Sequence, residues 1–351
     1  MSGRSSVQAG DGVLRTWMAY AIMGALLLSV GFLQSWPVML SMTQLCIISA
    51  VMALGLNMQW GYAGLFNAGV MGFAALGGVT AVLISESPVG DAWSAGGWEV
   101  WAMFGSVLIM VVALVAALRR MPKGRARNWT VAVIAIAGFG ASSYFYGIAV
   151  PAIEAVNPAG TGFLGGLGLP IIFSWPVAGL VAAIAAFLIG KVSLGLRADY
   201  LAIATLGISE IIIFILKNED WLTRGVKNVS GLDRPIPTER ALQVSDWFPN
   251  LVTWFNGEVA SKQDIITASS VFVKLGYVIL FAVVLIGIFW LAQRALNSPW
   301  GRMMRAIRDN EVSANAMGKD IVGRHLEVFI LGSAIIGVAG AMLTTVIGQF
   351  T

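Results

Sequence analysis

Charge is scarce in this sequence. Only 11% of its 351 residues are Asp, Glu, Lys or Arg, and 58% are hydrophobic. A soluble domain carries roughly 25% charged residues, so a large water-exposed domain is excluded. Cysteine is almost missing as well: Cys46 stands alone inside an apolar segment, which rules out a disulfide framework. The one histidine, His325, sits beside Arg324 at the entrance to an apolar segment, where a cap or interface role fits better than catalysis. No group of Asp, Glu, His and Cys has metal-ligand spacing, and no catalytic constellation suggests a membrane enzyme. A phosphate-binding GxxxxGK[ST] loop is also absent. "IGKVS" and "MGKDI" lack both the glycine context and the hydroxyl after lysine, so any ATP is expected to be hydrolysed by another chain. The net charge of +4 comes from basic residues scattered between apolar runs, a distribution that does not suit nucleic acid. The first residues, "MSGRSSVQAGDGVLR", do not have the pattern of a cleaved signal peptide.

Long apolar runs are what the sequence has in abundance. Between Thr16 and Ser85 no residue is charged, and about 20 apolar residues suffice for one helical crossing of a bilayer. The expectation is an all-α polytopic membrane protein, a single transmembrane domain over 1–351. About nine spans are read at 16–34, 38–57, 62–85, 98–118, 129–149, 171–190, 199–217, 272–293 and 326–347. With the amino terminus placed in the cytoplasm, the inner side collects 15 of the 22 Lys and Arg residues but only 6 of the 18 acids. This follows the positive-inside rule. Segment 218–271 then lies outside and segment 294–325 inside, and loops of that length commonly carry function.

Three stretches combine unusual chemistry. In "GLNMQWGYAGLFNAGVMGFAALGG" (55–78), glycine and asparagine interrupt apolar sequence. Read as a helix, Gly61, Gly64, Ala68, Gly72 and Ala75 share one face and allow close helix approach, while Asn57 and Asn67 need protein or water partners. A broken or tightly packed segment bordering a pathway meets both demands, and so does a packing seam with satisfied asparagines. Glu210 lies 11 residues past Asp199, about 16 Å along a helix, where an acid is costly and faces a cavity or partner. It could line a pathway, form an interface, or serve a structural role bonded to Thr205. In 300–318, Trp300, Met303, Met304 and Ile307 recur at helical spacing beside Arg302, Arg305 and Arg308. Asn310 can cap a second short helix, Glu311 suits its first turn, and Gly318 can end it. Small Ala314 and Ala316 keep that helix slim enough to enter a groove of another protein. An interfacial helix with snorkelling arginines fits the same pattern.

These motifs also carry a family resemblance. "GRMMRAIRDNEVSANAMG" resembles the ATPase-contacting loop of bacterial importer permeases of the ATP-binding cassette (ABC) class, and more narrowly of branched-chain amino acid permeases. "LRADYLAIATLGISEII", "GLNMQWGYAGLFNAG" and "NVSGLDRP" are similar to three further signatures of that family. The resemblance implies an ABC permease bundle working with a second permease subunit, two cytoplasmic ATPase subunits and a periplasmic substrate-binding protein. Its cofactors, ATP and Mg, would be held by the ATPases and none by this chain, and the location would be the bacterial inner membrane. The ATPase-coupling residues it implies are Gly301, Arg302, Arg305, Ala306, Ile307, Arg308, Asn310, Glu311, Ala314 and Gly318. Candidates for the translocation pathway or a helix interface are Asn57, Gly61, Tyr62, Gly64, Asn67, Gly69, Gly72, Thr205 and Glu210. Asp233, Arg234 and Glu239 are candidates for docking the binding protein, although 218–271 could equally be an ordinary solvated loop. Ile213 stands where the family often has a basic residue, so a local ion pair with Glu210 is not expected. Urea and short-amide permeases are close relatives and remain an alternative. An ion-coupled secondary transporter is a poorer match, because it predicts several intramembrane charges and paired repeats. Family members continue beyond the position of Thr351, so further membrane sequence is expected there.

Overall fold

Capping and breaking residues set the helix ends. Ser35 is extended and Pro37 falls in the first turn of the helix that follows it, where a missing N–H costs nothing. Ser261 and Asp264 form a reciprocal capping box at the start of the longest helix. Gly348, with φ of 68°, closes the last one. The structure is a computed structural model that describes residues 4–157, 162–196, 198–224, 229–232, 234–256 and 261–350.

In chain order the helices begin with α1 (Arg4–Leu33), α2 (Trp36–Asn57), α3 (Val70–Ser85), α4 (Gly90–Arg120) and α5 (Arg125–Ala155). There follow α6 (Ser174–Ser193), α7 (Ala198–Asn218), α8 (Asp220–Thr223), α9 (Glu239–Val244) and α10 (Trp247–Asn256). The chain closes with α11 (Lys262–Leu296), α12 (Pro299–Asp309), α13 (Glu311–Ala316) and α14 (Ile321–Ile347). A π-helical turn, Met58–Tyr62, extends α2. Two-residue strands β1 (Val229–Ser230) and β2 (Gln349–Phe350) pair antiparallel, Val229 opposite Phe350.

Seven helical stretches among the described residues are long and apolar enough to cross a membrane. Two of the nine expected spans, 16–34 and 62–85, correspond to shorter apolar helices, Trp17–Leu33 and Val70–Ser85. For the second the reason is local. Residues 64–69 are not helical, so α3 starts late and keeps only 16 residues, a length of about 24 Å.

Helix α14 is the centre of the bundle and packs most extensively on α6, α3 and α2. Helix α11 covers the outer side of α2, and α7 lies along α3 and α6. The α4–α5 hairpin is peripheral. Its helices pack mainly on each other, with Ala92, Val100, Ala149 and Ile153 meeting Leu164 and Trp221.

Lipid supplies no hydrophobic force between helices, so close packing and interhelical hydrogen bonds hold such a bundle together. Around α14 the packing reaches backbone contact. A β-carbon at Gly340 would meet the Ala74 carbonyl on α3, and one at Gly77 would meet Gly337. At Gly337 it would lie 2.5 Å from the Ala182 Cβ and 2.8 Å from the Ala178 carbonyl of α6. Buried polar groups are paired across helices: Trp175 Nε1 donates to Thr345 Oγ1 at 3.1 Å, and Gln44 Nε2 donates to the Lys274 carbonyl at 2.8 Å. Gly337→Val should therefore force α6 and α14 apart and cost about 1–3 kcal/mol, read as a lower midpoint of unfolding by SDS in mixed micelles. A midpoint equal to that of the parent protein would reject this seam as the core contact.

Candidate functional site

The interruption between α2 and α3 gathers five buried polar side chains, Gln59, Asn67, Thr205, Ser209 and Ser333, into one network. After Asn57 the chain widens into the π turn. The carbonyls of Gln59 and Trp60 are then taken by the N–H groups of Leu65 (2.9 Å) and Gly64 (3.0 Å). Gly64 turns the chain with φ of 74°, a left-handed conformation that favours glycine. Gln59 is wholly buried. Its Nε2 donates to the Phe329 carbonyl at 2.9 Å and to Ser333 Oγ at 3.1 Å, both on α14. Its Oε1 accepts from Asn67 Nδ2 at 3.0 Å, and Asn67 Oδ1 accepts from the Gly69 N–H at 2.9 Å. Phe329 lies eight residues into α14, about 12 Å from its start.

Helix α3 thus begins inside the bundle, where its first N–H groups have no helical partners. A hydroxyl from α7 supplies one for Gly72, and a second takes the Ala68 N–H just before the helix. Thr205 Oγ1 accepts from the Ala68 N–H at 3.1 Å, and Ser209 Oγ accepts from the Gly72 N–H at 2.7 Å. The absence of side chains at Gly69 and Gly72 permits this: a β-carbon at Gly69 would approach the Thr205 carbonyl to 2.5 Å, and one at Gly72 would approach Ser209 Cα to 2.9 Å.

Asn67, Gly69, Gly72 and Thr205 are therefore brought together at one point, and Gly61 and Gly64 lie at the near edge of the break. Other candidates lie apart. Asn57 is exposed, on a groove shared with Leu285 and Phe289 of α11, rather than within the bundle. Tyr62 is half-buried against Met58, Ala292 and Leu296. Glu210 is exposed on the outer face of α7 with Ile203, Leu206 and Phe214. Its neighbour Ser209 points inward, and the Thr205 hydroxyl donates to the Ala202 carbonyl instead of to Glu210. Gln59, Ser209 and Ser333 were not read as site residues from sequence. The usable signal was present for Gln59, a second amide two residues after Asn57 in otherwise apolar sequence.

Segment 294–325 divides into two helices with different surroundings. Helix α12 lies against the body: Gly301, Met304 and Ile307 are buried, with Met304 and Ile307 packed among Ala63, Leu65, Leu201 and Phe329. Trp300 Nε1 donates to Glu327 Oε2 at 2.8 Å, and Arg324 NH1 bonds both Glu327 oxygens. Arg302 reaches back to the Asn297 carbonyl, and Arg305 to that of Gly301. Arg308 turns toward the bundle and donates to the Gly61 carbonyl. Helix α13 is more open, with Ala314 packed against the core. Asn310 Oδ1 caps it by accepting from the Ser313 N–H at 2.9 Å, and Gly318, with φ of 73°, ends it. No residue of α13 is buried; Glu311 is exposed and Ala314 half-exposed. Ala306 and Ala314 line an open cleft between the two helices.

At the opposite end of the bundle, Arg234 NH1 pairs with Glu239 Oε2 at 3.3 Å. These two candidate docking charges therefore engage each other, and Asp233 lies outside the described residues. Among the described residues no group of three or more His, Cys, Asp or Glu side chains could hold a metal ion.

Residues 38–351 match the family model described as "Branched-chain amino acid transport system / permease component". The chain belongs to the branched-chain amino acid permease family. It is 32% identical over 171 residues to the high-affinity branched-chain amino acid transport system permease protein LivM of Salmonella typhimurium, covering 48% of this chain and 38% of that one. The LivM protein of Escherichia coli matches to the same extent. A probable branched-chain amino acid transport permease protein LivM of Methanocaldococcus jannaschii is 27% identical over 167 residues, 46% of this chain and 40% of that one. The matched region thus spans about two-fifths of the length of these relatives, and no solved structure matches. Membership in the permease family and the long apolar helices together make the chain a multi-pass membrane protein.

In this permease-family member the interruption is held from three sides, by α14 through Gln59, by α7 through Thr205 and Ser209, and by α12 through Arg308. Gln59→Leu keeps the volume but strands the Asn67 amide. It should cost about 1–3 kcal/mol by SDS unfolding, and stability equal to that of the parent would show that the amide network carries no weight.

Proposed function

We propose that this chain is the membrane permease subunit of an ATP-driven importer, forming part of the translocation pathway for branched-chain or related amino acids. Segment 300–318 couples it to cytoplasmic ATPase subunits, which bind and hydrolyse ATP with Mg. The observation that carries this reading is the contrast between α12 and α13. One helix is anchored to the bundle, while the six-residue helix after it is capped at both ends and leaves every side chain unburied. A short, capped helix with no buried side chain suits insertion into a groove on a partner.

Glu210 supports a second membrane partner. A carboxylate exposed at that depth is costly in lipid, so we assign the outer face of α7 to the second permease subunit or to the shared pathway. The basic end that holds 119–128, 191–197 and 294–325 is assigned to the cytoplasm, with the amino terminus there, in the bacterial inner membrane. Segment 218–271 then faces the periplasmic binding protein.

The reading is tested with the permease reconstituted beside a second permease, ATPases and a periplasmic binding protein of the same importer class. ATP-dependent leucine uptake that requires the binding protein is the expected result. Glu311→Lys should cut co-purification of the ATPase at least about tenfold, roughly 1.4 kcal/mol. Uptake that persists without ATPases and collapses with an ionophore would instead indicate a secondary transporter.

A further inference from the structure

Arg308 belongs to the basic stripe of α12, yet its hydrogen bonds lie within the chain. Its guanidinium donates to the Gly61 carbonyl, while Nε and NH2 are held by Asp309 Oδ1 at 3.2 and 3.0 Å. That carbonyl lies in the last turn before the chain breaks, where carbonyls lose their helical partners. Those of Gln59 and Trp60 are taken by Leu65 and Gly64, whereas the Gly61 carbonyl is taken by a side chain from 247 residues further along the sequence. Contact continues at the turn itself, since a β-carbon at Gly64 would lie 3.1 Å from Arg308 Cγ. Beyond the turn, the same short stretch of chain holds Asn67, bonded to Gln59 and Gly69, and Ala68, bonded to Thr205 on α7.

We infer that Arg308 is a positioning residue that latches the cytoplasmic helix α12 to the interrupted segment 58–69, so that displacement of α12–α13 moves the break and, through Asn67 and Thr205, helix α7. This rests on the reading of α13 as the ATPase-docking helix and adds where its motion goes. The link is suited to the task. Met304 and Ile307 supply apolar contact that holds α12 in place, whereas a charge-assisted hydrogen bond is directional and transmits register. A rigid helix tied to the interrupted segment moves a stretch held by individual hydrogen bonds and not by a continuous helical ladder.

The test uses the full transporter in proteoliposomes with a Cys46→Ser background and spin labels at Val312→Cys or Phe66→Cys, one on α13 and one within the break. Both positions are exposed. With Arg308 intact, addition of ATP should change the spectrum at both positions. In Arg308→Gln the ATPases should stay bound and the label at 312 should still respond, while the label at 66 falls silent. Leucine delivered per ATP hydrolysed should drop about tenfold, the loss of one charge-assisted bond. Arg308→Lys, which can still reach the carbonyl with one N–H, should recover part of that ratio. A label at 66 that still follows ATP in Arg308→Gln, or an unchanged delivery ratio, overturns the latch. Loss of ATPase binding in Arg308→Gln also overturns it, making Arg308 a docking contact. If position 312 is silent with Arg308 intact, the docking reading fails instead. The latch is then decided on the permease alone: Arg308→Gln must increase mobility at 66, and an identical line shape rejects it.

Discussion

A chain that leaves helical geometry inside an apolar bundle must find a partner for each backbone group it releases, because lipid offers none. That constraint governs the region between α2 and α3. The break frees carbonyls on one side and N–H groups on the other, and different helices answer each set. Arg308 takes the Gly61 carbonyl, while Thr205 and Ser209 take the Ala68 and Gly72 N–H groups. Gln59, buried at the pivot, ties the segment to α14. Three helices far apart in sequence are thereby fixed to one short stretch of chain.

The arrangement works only because α14 runs between α2 and α3 at backbone distance. Gly332 leaves the space that the Gln59 side chain occupies, and a β-carbon there would sit 2.5 Å from Gln59 Cγ. Gly77, Gly337 and Gly340 do the same for α3 and α6. Small residues on the central helix therefore have two consequences: they allow close packing, and they let a polar side chain reach a carbonyl that bulkier neighbours would shield. Packing and polar satisfaction are one feature of this sequence.

Much of this was legible from residue pattern. Uncharged runs located most of the apolar helices, and the Asn310 and Gly318 caps of α13 lie where their residue types predict. The mixture of glycine and asparagine in 55–78 marked the break. What failed was orientation. A helical reading put Gly61, Gly64, Ala68, Gly72 and Ala75 on one stripe, but a stripe requires an unbroken helix, and Gly64 ends it. The same error made 62–85 look like a full span and grouped Asn57 with Asn67, although one is exposed and the other buried. The pairing of the docking candidates Arg234 and Glu239 was not legible, because a spacing of five residues says nothing about the turn that brings them together. Ser209 went unread because a hydroxyl beside an intramembrane acid draws less attention than the acid, yet the serine faces the core and Glu210 does not.

Orientation also separates what the chain satisfies by itself from what it leaves open. Met304 and Ile307 are covered by its own core, so the apolar side of α12 is not a surface for another protein. The arginines of that helix bond to Asn297, Gly301, Gly61 and Asp309, all within the chain. Among the described residues, no such account covers α13, a capped helix with no buried residue, or Glu210, a carboxylate on an otherwise apolar helix face. A capped helix is not needed merely to bridge α12 and α14, and a carboxylate is a poor choice beside Ile203 and Phe214 if only lipid lies there. Both become reasonable choices when other proteins complete the surface. The interrupted segment lies between them, bonded through Arg308 to the helix that carries α13 and through Thr205 and Ser209 to the helix that carries Glu210. A motion entering at one open surface therefore has a hydrogen-bonded route to the other that passes through the least regular part of the bundle.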